Sequence, residues 1–231
     1  MSERTVHFHF DYISPYAYVA WTQISELATR HNCELKPTPV LFAGLLNAQG
    51  NLGPAEIPAK RLYVFRNAQR LAQDFGLPFR CPPTHPFNPL LPLRISGAIE
   101  GPALQAKVIN AFFDAVWGQG KAIDAPEAVR GVLSGVGLTA EELIQRASDP
   151  LIKARLNQHT SEAVARGAFG VPTVVVDDEL FWGVDALPHL ERYLRGEQQL
   201  DKTQMQRWHD VPATAGRKRK DLGKVSLMKD T

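Results

Sequence analysis

The sequence predicts an α/β fold, and three observations carry that expectation. A strand–helix–strand run opens the chain. A short β-branched strand, a second strand and a helix close it near residue 195. Some 120 residues of helical character lie between the two. The outer runs complete one sheet and the helical stretch interrupts it, which is an arrangement of helices packed on a sheet.

The first strand is read from Val6, Phe8 and Phe10, which alternate with His7, His9 and Asp11. The apolar and polar sets face opposite sides of the sheet. Two histidines and an aspartate on one face resemble metal ligands only weakly, because no third nitrogen ligand follows nearby; polarity at a strand end accounts for them more simply. Ser14-Pro15 then opens a helix to about Arg30, with Tyr18, Trp21, Ile24, Leu27 and Ala28 at helical spacing. Ser14 suits the N-cap, and Pro15 suits the first helical position, where its missing N–H costs nothing. A second strand at about 34–41 makes the unit a right-handed parallel crossover.

From about Leu45 to Arg166 the chain reads as mainly helical. One helix covers Ile57–Phe75 and ends at Gly76 before Pro78. The stretch Leu77–Pro92 holds six prolines and is expected to contain no regular element. Further helices are expected at about 93–117, 126–134, 139–147 and 150–166. Thr173–Asp177 reads as a buried strand, Leu180–Trp182 as its neighbour across a turn, and Asp185–Leu194 as the last helix. The expected division is a core domain of residues 1–44 and 167–196, a helical domain of 45–166 inserted into it, and a basic, disordered tail of 197–231.

With 231 residues, 44% hydrophobic and 22% charged, the chain has the composition of an ordinary globular protein. It is long enough to bury a core without disulfides or metal. No run approaches the roughly 18 apolar residues of a membrane span, and no secretory signal is legible at the N-terminus. The expected compartment is the cytoplasm, with no membrane partner. The only cysteines, Cys33 and Cys81, form no CxxC pair, which argues against dithiol exchange and a cysteine-rich zinc site. The net charge of +2 arises in residues 197–231, where eight Lys/Arg face five Asp/Glu. Its centre is Arg217, Lys218, Arg219 and Lys220. A nucleic-acid contact is one reading. A solvated tail is the simpler one, since few large apolar residues follow Trp208 to offset the entropy of ordering.

Two short motifs carry chemistry. Ser14-Pro15-Tyr16-Ala17 starts a helix directly after a strand, and Gly170-Val171-Pro172-Thr173 leads into the late strand. Proline before a central strand removes a ladder donor, which a cis peptide in a tight turn would explain. Such a turn leaves the Val171 N–H and C=O free to pair with an extended peptide.

Together with Phe10–Tyr18, Asn51-Leu52-Gly53-Pro54, His85–Leu90, Phe169–Thr173 and Phe181–Asp185, in that order, these motifs resemble a known family. The likeness is to the thioredoxin-like fold with a large inserted α-helical domain, as in the DsbA branch. Within it, the chain resembles the 2-hydroxychromene-2-carboxylate isomerases, relatives of the kappa class glutathione transferases, over roughly residues 4–195. Ser14–Ala17 stands where dithiol enzymes of that fold keep CxxC.

The resemblance implies glutathione as cofactor and Ser14 as the catalytic residue. A free thiol has a pKa of about 8.5. A serine hydroxyl and a helix N-terminus, worth roughly half a positive charge, both favour the sulfur anion and lower that value. Serine cannot form a mixed disulfide, so the thiolate stays available. By the same resemblance Asn51, Leu52, Val171, Pro172, Val184 and Asp185 hold glutathione. Asp185 would pair with its α-ammonium group, cap the last helix, or do both. Asn51, His85 and Asn88 are the implied substrate contacts. His85 stands where the isomerases have a tyrosine, and Asn88 equally suits the cap of the next helix. No metal is implied. The implied reaction, part of aromatic-hydrocarbon breakdown, isomerises 2-hydroxychromene-2-carboxylate to trans-o-hydroxybenzylidenepyruvate through a glutathione thiolate adduct, in a homodimer. Two alternatives stand beside it: a kappa-like transferase or peroxidase acting on another small-molecule electrophile, and a glutathione-binding protein without turnover.

Overall fold

Alternation along the first strand decides which side of the sheet becomes core. In β1 (Thr5–Phe10) Val6, Phe8 and Phe10 are fully buried. Phe8 and Phe10 lie 5.6 and 6.4 Å, ring to ring, from Trp21 of α1 (Pro15–Arg30). His7 and His9 face the other way, stacked at 6.4 Å. The structure is a computed structural model and describes residues 4–198 and 200–215.

β2 (Glu34–Pro39) runs parallel to β1, as expected of a strand–helix–strand crossover. β3 (Thr173–Val176) and β4 (Glu179–Trp182) are antiparallel additions, giving the order β2-β1-β3-β4. Pro37 and Pro39 are accommodated because β2 is an edge strand, where a missing donor breaks no ladder. β3, in contrast, is central, β-branched and buried throughout.

Seven helices separate β2 from β3 in the chain: α2 (Phe42–Gln49), α3 (Pro58–Asp74), α4 (Leu90–Ala98), α5 (Pro102–Phe113), α6 (Pro126–Gly135), α7 (Ala140–Ala147) and α8 (Pro150–Ala165). α9 (Leu187–Leu194) follows β4, and α10 (Lys202–Asp210) is the last among the described residues.

Four expectations need correction. The proline-dense stretch does not stay irregular to its end, since Leu90, Leu91 and Pro92 form the first turn of α4, where proline is tolerated. The helix expected at 93–117 is two, because Gly101 adopts φ 101° and Pro102 starts a new one. The last helix begins at Leu187 after a 3₁₀ turn at Val184–Ala186, so Asp185 does not cap it. Within the expected disordered tail, Lys202–Asp210 is helical, with Asp201 as N-cap and no buried residue. The Arg217–Lys220 cluster lies outside the described residues.

Candidate active site

Between β1 and α1 the chain reverses in a turn of residues 11–14, and hydrogen bonds hold that turn from several sides. The Ser14 N–H donates to the Asp11 carbonyl at 3.1 Å. The Trp117 indole N–H donates to the Tyr12 carbonyl at 2.8 Å, from a π-helical turn at Asp114–Gly118. The Ile13 carbonyl lies 3.0 Å from His85 Nε2, which must donate, leaving Nδ1 as the bare acceptor. The Asp11 carboxylate accepts the Ile13 N–H at 3.1 Å and the Phe42 N–H of α2 at 2.9 Å.

Ser14 follows, in extended conformation at the N-cap of α1. Its Oγ accepts the Ala17 N–H at 3.1 Å, the usual capping bond. It also donates to the Val171 carbonyl at 3.2 Å. Val171-Pro172 is a cis peptide, as the sequence suggested, and the bond from Ser14 brings the loop before β3 against the N-terminus of α1. The Val171 N–H has no hydrogen-bond partner among the described residues.

Other candidates gather around this pair to different degrees. Gly183, at φ 91°, turns the chain from β4 into the 3₁₀ turn that carries Val184 and Asp185. Val184 is buried in the core, and Asp185 is exposed and electrostatically within reach of the Tyr16 hydroxyl. His85 lies in an aromatic enclosure, 5.0 Å from Phe65, 5.8 Å from Trp117 and 6.2 Å from Phe87, and burial lowers its pKa. Asn51 and Leu52 are exposed just beyond α2, and neither is a hydrogen-bond partner of the Ser14 side chain. The Asn88 side chain accepts the Leu90 N–H at 3.0 Å and serves as a cap at α4.

Sequence reasoning missed three contributors. Asp11 is 1% exposed, where a strand-end polar residue should be solvated. Tyr16 accepts a bond from Asn67 of α3 at 3.2 Å, and Trp117 braces the turn from behind. An acid between two aromatics and three residues before a helix cap was the available signal for Asp11. Nothing local marks Asn67 or Trp117, because their partners are 51 and 105 residues away. Among the described residues, no three His, Cys, Asp or Glu side chains form a metal-binding group, so His7, His9 and Asp11 share a face without converging.

A sheet of order β2-β1-β3-β4, with a cis-proline loop against the N-terminus of the first helix, defines a thioredoxin-fold protein whose key helix begins with an alcohol instead of a thiol. The DSBA-like thioredoxin domain matches residues 5–195. A 2-hydroxychromene-2-carboxylate isomerase of Sphingobium xenophagum is 30% identical over 195 residues, 83% of this chain and 98% of that one. Glutathione S-transferase kappa 1 of Rattus norvegicus is 27% identical over 208 residues, covering 84% and 92%. A solved 2-hydroxychromene-2-carboxylate isomerase superposes with a TM-score of 0.76 at 27% identity, over 90% of this chain and 100% of that one. The chain belongs to the 2-hydroxychromene-2-carboxylate isomerase family of DsbA-like thioredoxin-domain proteins.

Proposed function

We propose that the protein is a glutathione-dependent isomerase that converts 2-hydroxychromene-2-carboxylate to trans-o-hydroxybenzylidenepyruvate. The observation that carries this reading is the Ser14 hydroxyl, held at the N-terminus of α1 and 3.2 Å from the Val171 carbonyl. Glutathione, when bound, supplies a nucleophilic sulfur that opens the ring, permits rotation and is returned unchanged.

The residues present fit that tripeptide. Val171 offers an unused N–H beside a carbonyl, the pair an extended peptide backbone requires. Pro172 fixes the loop that presents them. Asp185 offers an exposed carboxylate for an ammonium group, with Val184 as its buried anchor. Ser14 and the helix N-terminus favour an anion between them. Asn51 and Leu52 would close the other side, and His85 would border the substrate. Asn88 enters through its loop, since its carboxamide oxygen is already taken by Leu90. The same reading carries a cytoplasmic homodimer in aromatic-hydrocarbon breakdown, with residues 45–166 as a helical domain inserted into the thioredoxin-like core.

The test is turnover of 2-hydroxychromene-2-carboxylate with and without reduced glutathione. The expected result is conversion only when glutathione is present. Conversion at the same rate without it overturns the proposal. One observation favours a second reading, a kappa-like transferase: the enclosed His85 imidazole differs from a phenol in reach and charge. Turnover of a chlorodinitrobenzene but not of the chromene would select it. Calorimetric binding of glutathione with neither turnover would select a non-catalytic binding protein.

A further inference from the structure

The most buried acid near the site has no part in the chemistry proposed so far. Asp11 is 1% exposed, and its two carboxylate oxygens are divided between two elements. One accepts the N–H of Ile13, immediately before Ser14, at 3.1 Å. The other accepts the N–H of Phe42, the first residue of α2, at 2.9 Å. α2 has no cap of its own at that position, because its N-cap is Leu41. Asp11 therefore acts as a cap brought in from the turn after β1. The far end of α2, about 12 Å along the axis, delivers Asn51, whose N–H closes the helix onto the Leu46 carbonyl at 3.0 Å.

We propose that Asp11 is a positioning residue of this site: by accepting the Ile13 and Phe42 N–H groups together, its carboxylate holds the Ser14 turn against the start of α2 and so sets Ser14 in register with Asn51. The inference rests on the glutathione reading above. Only the ionised form can do this fully, since a protonated carboxyl has one oxygen that donates and two N–H groups to satisfy. Burial drives the Asp11 pKa up to about 7, against the pull of the two N–H bonds. The clasp is complete above neutrality and half-made below it.

The titratable groups around it leave that transition distinct. α2 carries none. His9 of β1 shares the face, and Tyr12 is adjacent in the turn; burial lowers the first and raises the second. His85 beyond Ile13 and His159 of α8 are likewise lowered by burial, so neither gains charge above pH 6.5. Lys36 of β2 sits opposite His7, two alternations from Asp11.

S-methylglutathione, which has no thiol to titrate, isolates the effect. Its affinity is measured by calorimetry at pH 6.5 and 8.5 for the wild type, Asp11→Asn and Phe42→Pro. The second variant deletes the donor and keeps the acid. Leu41, at φ −87° and ψ 111°, has the backbone that precedes proline readily, and proline is accepted at a first helical position. The wild type is expected to bind several-fold more tightly at pH 8.5. Both variants are expected to bind at or below the wild-type affinity at pH 6.5, with a ratio near one between the two pH values. A wild-type ratio of one overturns the proposal without any variant. So does a folded variant that keeps the wild-type ratio. Absence of binding to the wild type at both pH values removes the glutathione reading and this inference with it, whereas binding that ignores Asp11 removes this inference alone.

Discussion

Ser14→Ala deletes the proposed donor to the glutathione sulfur and should leave the fold in place, because the hydroxyl makes only two bonds. Loss of the cap bond costs about 1 kcal/mol. Turnover at pH 7 is expected to fall on the order of 100-fold, and the absorbance titration of the bound thiol to move to higher pH. Coincident titration curves for the two proteins would remove Ser14 from the mechanism. Two buried groups a residue apart on one face make a second prediction. Burial lowers His9 to about 4, so the folded protein refuses a proton that the unfolded chain takes below pH 6.5. Its contribution is full above pH 6.5 and is lost as pH falls towards 4, by roughly 3 kcal/mol. Asp11, raised to about 7, has the opposite sign. Its contribution is full below pH 4 and is lost as pH rises through 7, by roughly 4 kcal/mol. The two offset each other, with His7, His85 and His159 adding to the side of His9. Asp11→Asn should therefore steepen the loss of stability between pH 7.5 and 5, read as urea midpoints. An unchanged slope would mean that the carboxyl ionises as it does in water.

At the scale of elements, the site depends on backbone shapes that permit close approach. Gly183 holds φ 91°, and a Cβ there would meet the Asp185 carboxylate at 2.5 Å. Gly183→Ala should cost about 1–3 kcal/mol and weaken glutathione binding by displacing Asp185. Full affinity in that variant would show that Asp185 does not touch the ligand. α2 is started entirely by other elements, with Asp11 on Phe42 and the Thr160 hydroxyl of α8 on the Leu41 N–H at 2.9 Å. Thr160→Val should lower the thermal midpoint by about 1 kcal/mol of stability, and no change would reduce that bond to an accident of packing. These dependencies explain what the sequence could and could not say. Ser14 and Pro15 announce a helix start locally, so α1 was legible. The start of α2 was not, because its caps lie 31 and 119 residues away.

Across the whole molecule, the parallel crossover of β1 and β2 and the pairing of β3 with β4 were legible from periodicity, whereas the meeting of Ser14 with Val171 was legible only through the family resemblance. The helical stretch was legible only as helical. Its boundaries depend on Gly101-Pro102 and on the tolerance of a first turn for proline at Pro92. The brace behind the site was not legible, because Trp117 and His85 reach it through folding alone. α10 buries none of its residues. Trp208→Ala, at an exposed position of that helix, is therefore expected to leave the stability within about 0.5 kcal/mol, and a larger loss on a thermal melt would assign the helix a docking place. The hydroxyl of Ser14 is also not idle before any ligand arrives, for it rests on its neighbour's carbonyl. The glutathione sulfur proposed above would compete for a proton already engaged, so its association would swap partners without adding a bond. A swap of this kind contributes little grip, yet it discriminates sharply between a charged and an uncharged guest. On the proposed glutathione reading, tightness comes from the peptide's backbone and termini, while the alcohol decides in which protonation state the guest is kept.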